Sequence, residues 1–340
     1  MNRIGVFLSA LFIAILTNAG LGLAVEVPIP TPAPAKPEAK SIWADSVTQA
    51  KEQAKKEGKT VMIIFIGSDF DSGILKTTLE KSDKFKKGIE DQKVIPVIVI
   101  CQNKSSDMSK EDMDEIKKVF LSAVPTVMLT DTDGHVFGVI RKFSETSLDQ
   151  SKELVDSIAQ FNAGKAACDE MFKNAAKQTG TDKAELLNAG LGILQTYCGC
   201  FDTLGLFGYE DVLDEMAKSD VGNKGGFAAL ADYKKTALKF AMVFRDDISA
   251  AHAMMDQLLT RWPKDKKVCQ NALMLKAKAF ALSKDFDGTL KALAKIIEID
   301  PKSTEGLQAA EISASITKIK ADQEAEEKDG NKDVQQIEGN

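Results

Sequence analysis

Cys198-Gly199-Cys200 is the closest pairing of reactive side chains in this 340-residue sequence, and thiols two positions apart could do redox chemistry. A C-x-C disulfide is strained and easily reduced, so it would exchange readily with other thiols. Two other readings stand beside that one. One of the pair could bridge to Cys168 or Cys269 and staple a helical region, or the cysteines could be buried thiols. Cys101 ends an apolar run and reads as a core thiol. The chain has 5 cysteines, an odd number, so at least one sulfur stays reduced or pairs with another chain.

Other chemistries are poorly supplied. The 2 histidines, His135 and His252, have neither the ligand spacing of a zinc site nor the partners of a hydrolytic triad. Asp131-Thr132-Asp133-Gly134 reads as a hairpin turn, because the further oxygen ligands and terminal Glu of a calcium loop are missing. Gly222 to Gly226 lies between helical patterns instead of after a strand, so it reads as a flexible turn and not a phosphate loop. No cofactor or metal is expected. A net charge of −6, a pI near 5.3 and 6% aromatic residues argue against nucleic acid as a partner.

The elements that must position these residues fall into blocks. Residues 1–24 carry one early positive charge, an apolar run from Ile4 to Leu16 and the small residues Gly22 and Ala24, the pattern of a signal peptide cleaved after Ala24. The run is shorter than the ~20 residues of a spanning helix, so no stable membrane span is expected after cleavage. The mature chain is expected to be exported, periplasmic or extracellular, where disulfides persist. Residues 25–40 carry five prolines from Pro28 to Pro37 and read as an extended linker. A helix is predicted over Ser41 to Gly58, with Trp43, Val47, Ala50 and Ala54 on its apolar face and Gly58 as its C-cap. Val61 to Ile66 is an unbroken apolar run that stops at Gly67-Ser68-Asp69, a strand buried on both faces. A helix follows from Asp71 to about Lys87, then a second buried strand at Lys93 to Cys101. A helix at Met113 to Leu121, a strand behind Val124-Pro125-Thr126 and a hairpin to His135–Ile140 complete the block.

That order, with the G-S-x-F turn at Gly67–Phe70 and the V-P-T stretch, resembles the thioredoxin family over roughly residues 41–161. The resemblance implies an α/β thioredoxin-like domain with the active site at the turn into the Asp71 helix. Phe70 stands at the family's Trp position, and Asp71 and Ile74 occupy the two cysteine positions. The family's buried acid aligns with Ile64. Neither Asp71 nor Ile74 can supply a thiolate or resolve a mixed disulfide, and Ile64 cannot accept a proton. Asp69 and Asp71 suit the helix N-terminus as caps. By resemblance, Phe70, Val124, Pro125 and Thr126 would bind extended polypeptide.

From Gln160 onward strand patterns vanish and Ala, Leu, Met and Lys recur at helical spacing. Leu154, Ile158 and Phe161 begin a helix that crosses into this region, predicted as an all-α domain over 162–320. Asp247 through Trp262-Pro263 aligns with Asp285 through Asp300-Pro301 at an offset of 38 residues. The later copy, with Ala277, Phe280, Leu293 and Ile296, is similar to a tetratricopeptide unit, whose usual period is about 34 residues. Lys276 and Lys239 depart from that pattern. Residues 321–340 carry seven acids against two lysines and should fray or form a disordered acidic tail. The expectation is an exported, redox-inactive scaffold for protein or peptide partners; the alternative is a thiol–disulfide enzyme or redox sensor using Cys198 and Cys200.

Overall fold

A computed structural model describes residues 42–67, 70–101, 110, 124–141, 150–197, 206–244 and 247–337. The signal-peptide and linker segments, the helix expected at Met113–Leu121, Asp69, Cys198 and Cys200 lie outside them. The chain divides into two compact units, Met1–Ala167 with Ile193–Gly208, and Cys168–Gly192 with Tyr209–Asn340.

The first unit is built on a four-stranded sheet of order β2-β1-β3-β4. Its strands are β1 (Thr60–Ile66), β2 (Val94–Ile100), β3 (Thr126–Thr130) and β4 (Val136–Ile140). β1 pairs parallel with β2, Thr60 opposite Val94 through Ile66 opposite Ile100. It pairs antiparallel with β3, Val61 opposite Thr130 and Phe65 opposite Thr126. Val61 to Ile66 are all buried, as an apolar run without alternation requires of a strand covered on both faces. Each such side chain contributes about 1.5–3 kcal/mol relative to exposure.

The outer strands carry devices suited to sheet edges. Pro96 lies in β2, where its missing N–H faces outward: its carbonyl accepts the Ala44 N–H at 3.0 Å from the far side. Ala44 bridges Val97, so residues 42–46 are non-helical, in contrast to the predicted start at Ser41. The helix α1 (Val47–Glu57) begins where Ser46 Oγ accepts the Gln49 N–H, and it ends at Gly58 with φ 63°, which donates to the Ala54 carbonyl. Beyond β1, the single helix predicted from Asp71 to Lys87 is two, α2 (Phe70–Lys81) and α3 (Asp83–Asp91). Ser82 breaks them, because its Oγ caps the second by accepting the Phe85 N–H at 3.1 Å.

The 26-residue helix α4 (Gln150–Ala175) buries Leu154, Ile158 and Phe161 and continues past the boundary between the units, as its apolar spacing predicts. Two of its close approaches fall on neighbours that lack a Cβ. Val155 lies over Gly88 and the Phe161 ring over Gly138, where a Cβ would come within 2.5 and 2.4 Å. Asn162 Nδ2 donates to the Gln92 carbonyl at 3.3 Å.

The second unit is helical throughout its described residues. α5 (Gly180–Tyr197) begins in it, and α6 (Glu210–Ser219), α7 (Phe227–Val243), α8 (Ile248–Arg261), α9 (Lys266–Leu282), α10 (Phe286–Ile299) and α11 (Thr304–Ile337) follow. The 38-residue offset reappears as equal helix starts, Ile248 with Phe286 and Lys266 with Thr304. Asp247, Asp265 and Asp285 each cap the helix that follows, and Ser303 Oγ accepts the Gly306 N–H at 2.9 Å. Met255, Leu258, Val268 and Ala272 form one core cluster; Leu273, Ala277, Leu293 and Ile296 form the next.

The two copies fasten their second helix by different polar clamps at equivalent positions. In the first, Asp232 Oδ2 accepts Trp262 Nε1 at 2.7 Å and Arg261 Nη1 at 2.5 Å. In the second, 38 residues on, the buried Gln270 Nε2 lies 3.0 Å from the Ile296 and Asp300 carbonyls and 2.8 Å from Ser303 Oγ. Gln270 thereby adds a further donor to the Ile296 carbonyl at the end of α10, which also accepts the Asp300 N–H, and to the carbonyl of the C-cap Asp300, which also accepts Ser303 Oγ–H.

Two expectations change. Gly222–Gly226 is an organised turn, because the buried Asp220 carboxylate gathers N–H groups from Gly225, Phe227 and Ala228 at 3.0, 2.8 and 3.3 Å. Asn223 (φ 55°) caps Ala229 from the same turn. The acidic segment from 321, predicted to fray, continues α11 as helix to Ile337. Its Ala, Glu, Lys and Gln residues have high helix propensity, which outweighs the shortage of apolar groups.

Candidate partner-binding site

Register gathers most of the predicted site at one end of the sheet. Thr126 opposes Phe65, so Val124 and Pro125 lie beyond it, level with the end of β1 where the chain turns into α2 at Phe70. The Val124–Pro125 bond is cis. Thr126 is 1% exposed, whereas Val124 and Pro125 are half-buried and present surface. The strand end is closed by hydrogen bonds, with Cys101 N–H donating to the Ile66 carbonyl at 2.7 Å and Gly67 N–H to Ser72 Oγ at 2.9 Å. Ser72 is itself fully buried in the first turn of α2.

What this end can do follows from its side chains. Ile64 is 1% exposed within the sheet and Ile74 is half-buried on α2. Neither side chain carries a thiol or an ionisable group, so neither can supply a thiolate or accept a proton. A half-buried Val-Pro pair beside a buried Thr offers apolar contact to a chain laid along it.

The hairpin cluster lies at the other end of the sheet, since Thr130 opposes Val61. Ligand atoms of Asp131, Asp133 and His135 come within 4.8 Å of one another. Yet Asp131 Oδ1 accepts the N–H groups of Asp133 and His135 at 3.0 and 2.9 Å. Its Oδ2 bonds His135 Nδ1 at 2.9 Å and pairs with Lys165 at 3.3 Å. Burial alone would raise the Asp131 carboxyl, but the His135 hydrogen bonds and the Lys165 charge outweigh it and hold it below the usual value. Asp131 thus organises the hairpin turn through its own hydrogen bonds. Lys165 carries no signal in the sequence, lying on a helix 34 residues downstream.

Of the cysteines singled out in the sequence, Cys101 directly follows β2, Cys168 and Cys269 belong to the second unit, and Cys198 and Cys200 lie outside the described residues. Cys168 is fully buried on α4, and Cys269 on α9 donates its Sγ–H to the Trp262 carbonyl at 3.3 Å. Burial, reinforced by Asp265, pushes the Cys269 thiol up, which suppresses the thiolate needed for exchange. In the second unit a cleft of about 410 Å³ is lined by Asn223, Gly226, Trp262, Pro263, Lys264 and Asp265, with Arg261 beside them. Its polar groups are largely engaged within the fold. Asp265 caps α9 through Val268 N–H and accepts Asn223 Nδ2, while Trp262 and Arg261 bond Asp232.

Among the described residues no helix is long and apolar enough to cross a membrane. Comparison of the chain with protein-family models and with curated proteins finds no match.

Proposed function

We propose that this chain is an exported, redox-inactive protein in which a thioredoxin-like domain and a tetratricopeptide-like helical domain serve as a platform for polypeptide partners. The observation that carries the reading is the pairing of buried Ile64 with half-buried Ile74 at the β1–α2 end, beside an accessible Val124-Pro125 surface. The thioredoxin-like reading is supported by the parallel β1–β2 pair joined through two helices and the antiparallel β3–β4 hairpin that follows. The helical reading is supported by the 38-residue recurrence of helix starts and by the close approach of Gly288 to the Phe280 ring. Export rests on the composition of residues 1–24.

The full-length chain, expressed with its N-terminus intact, is used to recover partners from the exported fraction, in parallel with Val124→Asp. Loss of partners in the variant, with an unchanged circular dichroism spectrum, is the expected result; full recovery would move binding away from this surface. An insulin-reduction assay is expected to show no turnover. Turnover that disappears in Cys198→Ser would overturn the redox-inactive reading. Mass measurement of the exported chain is expected to place its N-terminus at Val25.

A further inference from the structure

His252 stands on α8 at the seam with α9, its ring stacked on Phe280 with centroids 4.1 Å apart and planes 26° apart. The residue is partly exposed, but both ring nitrogens are enclosed and have no hydrogen-bond partner. A neutral imidazole left this way already forgoes one donor and one acceptor. An imidazolium would have two donors with nothing to receive them, and a charge within an apolar seam.

The surrounding charges are committed elsewhere. Lys276, from α9, bonds Asp256 Oδ1 at 2.6 Å. Asp256 lies on α8 itself, one turn beyond the ring. Asp285 caps α10 by accepting the Gly288 N–H at 2.8 Å. α7 and its C-cap bring the apolar Phe240, Val243 and Phe244 to the neighbouring core cluster of Ala251, Met255 and Leu258, while Phe280 packs on the cluster of Leu273, Ala277 and Leu293. Among the described residues, the carboxylates that act on the ring, Asp256 and Asp285, are held by these other bonds, and the Lys276 ammonium opposes a proton on it.

We propose that His252 is a proton-operated latch, closed on Phe280 when the ring is neutral and expelled from the α8–α9 seam when it is protonated. Consistent with this geometry, burial first and Lys276 second hold the imidazole below its ordinary value, outweighing the pull of Asp256 and Asp285. The sign follows directly. The unfolded ring binds its proton at higher pH than the folded one, so the seam loosens as pH falls from about 6.5 and stays loosened below the folded value. Expulsion turns the ring to water and uncovers Phe280. The device is local to one helical hairpin and makes its opening depend on acidification below about 6.5.

The experiment uses the full chain. With only 2 histidines, the ring signals are followed by nuclear magnetic resonance and assigned with His135→Gln. The His252 signal is expected to titrate below about 6.5. Hydrogen exchange is then measured across α8 and α9 at about pH 7.5 and about pH 5, corrected for the intrinsic rate. Protection in the parent is expected to fall several-fold further than in His252→Leu, where acid should have little effect on the seam. Should His252→Leu fail to fold, His252→Gln, uncharged at both values, gives the same comparison. Equal acid loss in parent and variant, or a His252 signal titrating at or above the ordinary value, overturns the latch.

Discussion

Gln270 gives the sharpest test of how the helical unit is held together. Its side chain is 2% exposed, and its amide nitrogen lies within 3.0 Å of the Ile296 and Asp300 carbonyls and 2.8 Å of Ser303 Oγ. Gln270→Leu keeps approximate volume and removes the donor. The abandoned acceptors are not wholly stranded. The Ile296 carbonyl still receives the Asp300 N–H at 3.4 Å, and the Asp300 carbonyl still receives Ser303 Oγ–H at 2.9 Å. The expected loss is therefore about 1–3 kcal/mol, the range for unmade hydrogen bonds at buried groups and not that of a full cavity. Mid-range values, a loss of about 2 kcal/mol and a urea slope of about 2 kcal/mol per molar, lower the unfolding midpoint by roughly 1 M with the slope unchanged. The assay has a built-in reporter, because the chain has 2 tryptophans and Trp262 lies in the helical unit. A Trp43→Phe background leaves Trp262 as the only indole. Gln270→Glu adds a sign test: its carboxyl can replace the lost donor only when protonated, so its deficit shrinks as pH falls. A midpoint that is unchanged or raised in Gln270→Leu, or a Gln270→Glu deficit that grows on acidification, would refute the clamp.

Asp220→Ala removes the carboxylate around which the 220–229 turn is wound, and is expected to destabilise the helical unit by about 2–3 kcal/mol, read by the same Trp262 transition. Burial favours the neutral acid, but the backbone hydrogen bonds win and hold Asp220 low, so its contribution is present above about pH 4 and lost as pH falls through the folded value. The variant should accordingly lose less stability on acidification than the parent. Lys234 is 8% exposed, hydrogen-bonded to Asn188 Oδ1 at 3.1 Å, and burial lowers it to about 8. Lys234→Met is expected to stabilise the unit by about 1–3 kcal/mol at neutral pH. That advantage should shrink from about pH 8 to about pH 10.5, where the parent's unfolded state binds more protons than its folded state and parental stability rises. Gly138→Ala forces a methyl against the Phe161 ring and is expected to destabilise the sheet unit by about 1–3 kcal/mol, read by Trp43 fluorescence.

Local signals in the sequence succeeded where one element sufficed to express them. The run Val61–Ile66 needs no neighbour to declare itself a doubly covered strand, and Gly58 announces a helix end by its own conformational freedom. The 38-residue recurrence was legible because aspartate caps repeat with the helices they start. What was missed depends on distant partners or on competition between signals. Ser82 is unremarkable within a helical pattern until its hydroxyl turns to the Phe85 N–H and divides the helix. Ala44 fits an amphipathic stripe, yet its N–H goes to Pro96, a contact no periodicity encodes. Five residues rich in glycine read as loose, although one buried carboxylate at Asp220 fixes them. At the candidate site, the position of Pro125 beside the end of β1 was legible through resemblance, whereas the closure of that end by Ser72 and Cys101 was not.

The clamps at Asp232 and Gln270 bear on fidelity of assembly. Tandem hairpins of similar sequence can dock onto the wrong neighbour, a characteristic failure of repeat proteins. Here the equivalent positions carry opposite roles, a carboxylate that accepts from Trp262 and Arg261 and an amide that donates to Ile296 and Asp300. An exchanged pairing would set the Asp232 carboxylate against the carbonyls that end α10, acceptor facing acceptor in a dry seam. Mispaired hairpins are thus penalised by several kcal/mol-scale polar contacts without any change in the apolar surfaces they share. The polarity reversal marks each of two look-alike hairpins with its own partner pattern.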